Sequence, residues 1–137
     1  AAIAPVAVRR VRKLVVLRPG AGARKTVESA RARGLDVLHL PLFELQPVRW
    51  NAPEAGGFDG LLVTSANAIR YAGEELNRLR GLKAYAVGEA TAATVRDAGF
   101  DVASTGTAGV DRLLGSIDGE LRLLHLCGED RREPVAA

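Results

Sequence analysis

The feature that most limits what this chain can become is a rhythm. Short runs rich in Val, Leu and Ala alternate with longer stretches whose apolar residues recur every three or four positions. The first run, "KLVVLRPG" at 13–20, is bounded by Pro19 and Gly20 and reads as a buried strand. Ala23, Val27 and Ala30 then fall at helical spacing, with Arg24, Lys25, Glu28 and Arg31 on the other side. Gly34 is placed to end that helix. "LDVLHLP" at 35–41 is a second strand, closed by Pro41. Together, residues 13–41 are expected to form a parallel βαβ unit with a right-handed crossover.

The pattern lapses over residues 42–57, which carry Pro47, Pro53, Gly56 and Gly57 and hold no period. This segment reads as a linker with one extended piece at "FELQPV", and its length suggests a domain boundary. From residue 58 to 137 the rhythm resumes. "FDGLLVTS", "KAYAVG", "DVAST" and "LRLLHLCG" read as strands. Between them come a helical stripe of Ile69, Ala72, Leu76 and Leu79, the helix "EATAATVRDAGF" with Gly99 as its stop, and a stripe of Val110, Leu113, Leu114 and Ile117. Strands and helices in this alternation specify α/β architecture, with parallel sheets flanked by helices.

Bulk properties exclude several classes. The net charge of +3 is mild, and aromatic residues make up only 4%, so no aromatic-interleaved basic face marks a nucleic-acid binder. No apolar run reaches the roughly 18 residues of a membrane span. Cys127 is the single cysteine, which rules out an internal disulfide and, with two scattered histidines, a zinc site. The expected setting is cytoplasmic, with neither nucleic acid nor membrane as partner. Residues 1–12 place their charges after the apolar stretch, the reverse of a signal peptide, and read as a disordered or strand-like extension.

Ligands of open α/β sheets bind at the carboxyl ends of the strands. There this sequence places Arg18 after the first strand; Thr64, Ser65 and Asn67 after the third; Gly88, Ala90 and Thr91 after the fourth; and Cys127 and Gly128 after the last. Small residues admit a ligand to the backbone, and unpaired N–H groups opening a helix suit phosphate or carboxylate. Ser, Thr and Asn are also ordinary helix caps, and spacing alone favours that plainer reading. His39 and His125 lie inside strands and read as satisfied core or edge residues, and Cys127 as a buried structural thiol. No G-x-G-x-x-G fingerprint follows a strand, which disfavours a dinucleotide.

"VLRPG", "LLVTSANAIR", "AYAVGEATAATVRDAGF" and "LLHLCGEDRRE", in that order, resemble uroporphyrinogen-III synthase, from about Val15 to about Glu133. The resemblance implies a bilobed protein with two flavodoxin-like lobes. Residues 13–41 would open the first lobe and 58–137 would form most of the second. It implies a lyase that acts on hydroxymethylbilane without cofactor or metal: water is lost, the last pyrrole ring is inverted and the macrocycle closes to uroporphyrinogen III. On this basis Arg18, Thr64, Ser65, Asn67, Gly88, Ala90 and Gly128 are the expected substrate contacts, and Thr91, which matches a threonine of the family's "ATA" motif, the catalytic candidate. The family chain is nearly twice as long, and its candidate catalytic tyrosine has no counterpart at Tyr71 or Tyr85. The expectation is therefore a fragment or the ordered part of a longer protein, with little activity alone and an apolar face on the first βαβ that invites self-association. The rival expectation is a non-catalytic, flavodoxin-like ligand-binding or regulatory module.

Overall fold

The computed structural model describes residues 13–129; the N-terminal extension and the polar segment after Glu129 lie outside the described residues. The described residues divide into two compact units, with the boundary between Gln46 and Pro47.

In the N-terminal unit, strands β1 (Leu14–Val16) and β2 (Val37–His39) pair in parallel, joined by helix α1 (Gly20–Ala32). The helical stripe read from the sequence is the buried one: Ala23, Val27 and Ala30 pack with Val16 and Val37. Gly34 adopts φ +77° just past the helix, its N–H donates to the Arg31 carbonyl, and the Leu35 N–H donates to that of Ala30. This is the paired closure that glycine makes possible at a helix end. The expectation of a buried first strand fails in part. Val15 and Leu38 face each other in register and are 46% and 41% exposed. A two-stranded sheet with one helix covers only one face.

The C-terminal unit holds a four-stranded parallel sheet in the order β5-β4-β3-β6. Its strands are β3 (Gly60–Val63), β4 (Lys83–Val87), β5 (Val102–Gly106) and β6 (Leu123–Leu126). Leu61 lies in register with Ala84 and Leu124, and Val63 with Ala86 and Leu126. These residues form one face of the core, with Ile69, Leu76, Leu79, Ala92, Val95 and Phe100. Leu62 points the other way and is also buried, as expected of a central strand covered on both faces. At the start of β3 only glycine fits: a Cβ on Gly60 would sit 2.8 Å from the Tyr85 ring and 2.9 Å from the Lys83 carbonyl oxygen.

The stripe Ile69, Ala72, Leu76 and Leu79 is buried throughout, but one continuous helix does not carry it. Helix α2 (Ala66–Arg70) stops, Gly73 turns to φ +66°, and the chain resumes as a 3-10 helix over Gly73–Leu79. The left-handed conformation at Gly73 cannot continue an α-helix. The break frees the Ala72 carbonyl, and the Trp50 indole N–H donates to it at 2.7 Å. The Ala52 N–H donates to Glu75 at 2.8 Å, and Ala52 is buried in the same core. Residues 47–57, read from the sequence as the later part of a linker, thus pack within the second unit, and no strand forms at "FELQPV".

Helix α3 (Glu89–Asp97) joins β4 to β5 and ends at Gly99, φ +86°, with the same paired closure as α1. Helix α4 (Val110–Leu114) is shorter than its stripe: past it the Ser116 and Ile117 N–H groups donate to the Leu113 and Leu114 carbonyls, three residues back rather than four. Its buried residue Leu113 packs against Gly106, where a Cβ would come within 2.8 Å of the Leu113 Cβ.

Candidate functional site

The strand order creates the site. From β3 the chain moves outward through β4 to β5, then returns to the far side of β3 for β6. Such a reversal leaves a crevice at the carboxyl ends of the strands on either side of it. Because Val63 is in register with both Ala86 and Leu126, β3, β4 and β6 end at one level. With strands about 4.8 Å apart, the segments 64–67, 88–91 and 127–128 leave the sheet side by side. The sequence-derived candidates Thr64, Ser65, Asn67, Gly88, Ala90, Thr91 and Gly128 therefore share one rim. Asp59 and Asp101 precede their strands, at the opposite edge.

Thr64 is half-buried, and its Oγ1 lies 3.0 Å from the His125 Nε2 on the neighbouring strand. Ser65 is the N-cap of α2: its Oγ accepts the Asn67 N–H at 3.2 Å. The plainer cap reading thus holds at Ser65. The Asn67 Oδ1 accepts from Arg70, whose second nitrogen donates to Thr94 on α3, so this clasp links the two helices that open onto the rim.

The turn after β4 has a different character. Gly88 sits at φ +85°, a backbone state that other residues rarely adopt. Its N–H donates to the Gly106 carbonyl at 2.7 Å, so this amide is already committed. The Thr91 and Ala92 N–H groups return to the Gly88 carbonyl. Among the described residues, the N–H groups of Glu89 and Ala90 meet no backbone carbonyl, which leaves them as the donors at the positive end of α3. Thr91 is the one buried polar residue among those described, 7% exposed. Its hydroxyl makes no hydrogen bond there, yet it is not sealed from solvent. It is a polar group for which the described fold supplies no partner.

Gly128 is exposed beyond the end of β6. Cys127 is half-buried and free, not the fully buried thiol expected. Arg18 belongs to the N-terminal unit, where its guanidinium donates to the Gly22 carbonyl and the Thr26 hydroxyl of α1. His39 is satisfied as expected, its Nε2 lying 3.0 Å from the Arg18 carbonyl oxygen. The sequence reading gave His125 no part in the site. Only the pairing of β6 with β3 brings it to Thr64, and strand order is not written in local pattern.

The profile of the family described as uroporphyrinogen-III synthase HemD matches residues 24–137. The chain belongs to the uroporphyrinogen-III synthase family. A curated relative, the uroporphyrinogen-III synthase of Chlorobaculum parvum, is 28% identical over 101 residues, covering 67% of this chain and 41% of the relative. The match thus spans less than half the length of that relative. The match takes in β3, β4, α3 and β6, and with them every rim segment described above. Among the described residues no helix is long and apolar enough to cross a membrane.

Proposed function

We propose that this chain carries the substrate-gripping rim of a uroporphyrinogen-III synthase, a cytoplasmic lyase of tetrapyrrole biosynthesis. Its substrate is hydroxymethylbilane, an open chain of four pyrroles bearing acetate and propionate carboxylates. The reaction loses water, inverts the last ring and closes the macrocycle to uroporphyrinogen III. The observation that carries this reading is the unpartnered, nearly buried Thr91 hydroxyl beside the free N–H groups of Glu89 and Ala90. Hydroxyl and amide donors in a partly dry site bind carboxylates well, because charge-assisted hydrogen bonds strengthen as water is excluded.

The chemistry asks for little beyond this grip. Loss of the terminal hydroxyl gives a cationic, resonance-stabilised pyrrole, and the carboxylates fix which carbon it meets. Holding the two ends of the chain at bonding distance removes the conformational entropy that ring closure of an open chain would otherwise lose. Thr91 is the residue placed to assist the leaving hydroxyl. Thr64, the Ser65–Asn67 turn, Ala90, the Gly88 turn and Gly128 serve as contacts along the chain, and Arg18 as a further carboxylate partner. In Gly88 the contribution is backbone shape, since its own N–H is taken. The exposed Val15, Leu38, Leu40 and Leu42 support self-association of this chain, and neither nucleic acid nor membrane has a part in the reading.

A coupled assay decides the matter. Hydroxymethylbilane is generated in place, the full-length protein is added, and the products are oxidised and separated. Excess of isomer III over isomer I is expected; isomer I alone, the spontaneous product, would refute the enzyme reading.

A further inference from the structure

We infer that His125 is a positioning residue that sets the direction of the Thr64 hydroxyl, so that Thr64 donates to a carboxylate of the substrate. The inference rests on the functional reading above and deepens it.

The geometry is specific. His125 is in register with Leu62 on the neighbouring strand, and Thr64, the first residue past β3, lies two positions beyond Leu62. Two residues is one full period of a strand, so the imidazole and the hydroxyl stand on the same face. The 3.0 Å contact between Thr64 Oγ1 and His125 Nε2 joins them across the β3–β6 seam, where the strand order reverses. Buried Leu62 forms the floor of this row, and Tyr85 on β4 lies in register beyond it. Both members of the pair are half-buried, so the contact is partly shielded while the hydroxyl can still be reached.

A threonine hydroxyl has one proton to give, and an ionised carboxylate can only accept. If Thr64 gives its proton to Nε2, it offers a carboxylate nothing but lone pairs. If Nε2 carries the hydrogen and donates to Oγ1, the Thr64 proton is left for the ligand. Recognition of a carboxylate at this point therefore requires hydrogen on Nε2, and His125 acts through Thr64 without touching the substrate.

The test is steady-state kinetics with hydroxymethylbilane on the full-length protein, comparing Thr64→Val, His125→Asn, His125→Gln and the Thr64→Val/His125→Asn double variant. Asparagine places its amide near the Nδ1 position and loses Thr64, whereas glutamine reaches the place of Nε2. Both are polar, and thermal unfolding confirms that each variant is folded. Thr64→Val and His125→Asn are each expected to raise KM roughly tenfold, the scale of one hydrogen bond to a charged group. With a uniform loss of binding, kcat should change by less than about twofold. The double variant should be no worse than either single one, and His125→Gln should stay near wild type. Equal effects of His125→Asn with and without Thr64, no effect at all, or a glutamine variant as impaired as the asparagine one would overturn the inference. A wild-type protein that fails to convert hydroxymethylbilane would instead overturn the functional reading, and the inference with it.

Discussion

At Thr91 stability and the proposed function pull apart. Its side chain is almost wholly packed, yet its hydroxyl has no partner among the described residues. Thr91→Val keeps the shape and removes only the unsatisfied oxygen. The unfolding free energy should therefore stay within ~1 kcal/mol of wild type or rise, while turnover falls at least tenfold if the hydroxyl meets the substrate. Chemical denaturation and the coupled assay, run on the same preparation, check both halves. Ser65 should behave in the opposite way: Ser65→Ala removes the cap of α2 and should cost about 1 kcal/mol, read as a shift in denaturation midpoint. The sequence made Thr91 legible, because a motif held it at a strand-to-helix turn. It also marked Ser65 and Asn67, although it could not say that their polar atoms are spent on Asn67 N–H and Arg70. His125 was not legible as part of the site, because a strand histidine has the same local signature whether its neighbour is a leucine or a threonine.

Elements were read well where a period and a stop coincide. Helices α1 and α3 end next to Gly34 and Gly99 as their spacing predicts, because a glycine at positive φ settles the end of a helix locally. The stripe from Ile69 to Leu79 shows the limit of such reading. Burial follows the sequence period, but Gly73 splits the helix, and Trp50 satisfies the carbonyl that the split exposes. That partner lies 22 residues away, beyond any helical window. Trp50→Phe keeps the ring and deletes the donor, so it should cost about 1–2 kcal/mol for an orphaned, partly buried carbonyl. The sheet has a comparable constraint at Gly60. Gly60→Ala would drive a methyl into the Tyr85 ring and the Lys83 carbonyl, and should destabilise by about 1–3 kcal/mol. Urea denaturation distinguishes these costs from changes in the site, since neither residue touches the rim.

At the scale of the molecule, the two units differ in the size of their cores. The C-terminal unit encloses a cluster of thirteen buried apolar residues around four strands, and the N-terminal unit five around two. A pair of strands with one covered face is marginal in water. Amide exchange should therefore be slowest in β3 and β4 and markedly faster in β1 and β2. The pattern of strands and helices reveals this division, but not which faces remain open, since burial depends on what each sheet packs against. In the proposed function, donors at the carboxyl ends of β3, β4 and β6 hold the carboxylates of a linear tetrapyrrole. Amide chemical-shift mapping, with a linear tetrapyrrole carboxylate titrated into the isotopically labelled protein, tests it most directly. The expected result is saturable shifts concentrated at residues 64–67, 89–91 and 127–129. Shifts concentrated instead near Asp59 and Asp101, at the opposite edge of the sheet, would contradict it.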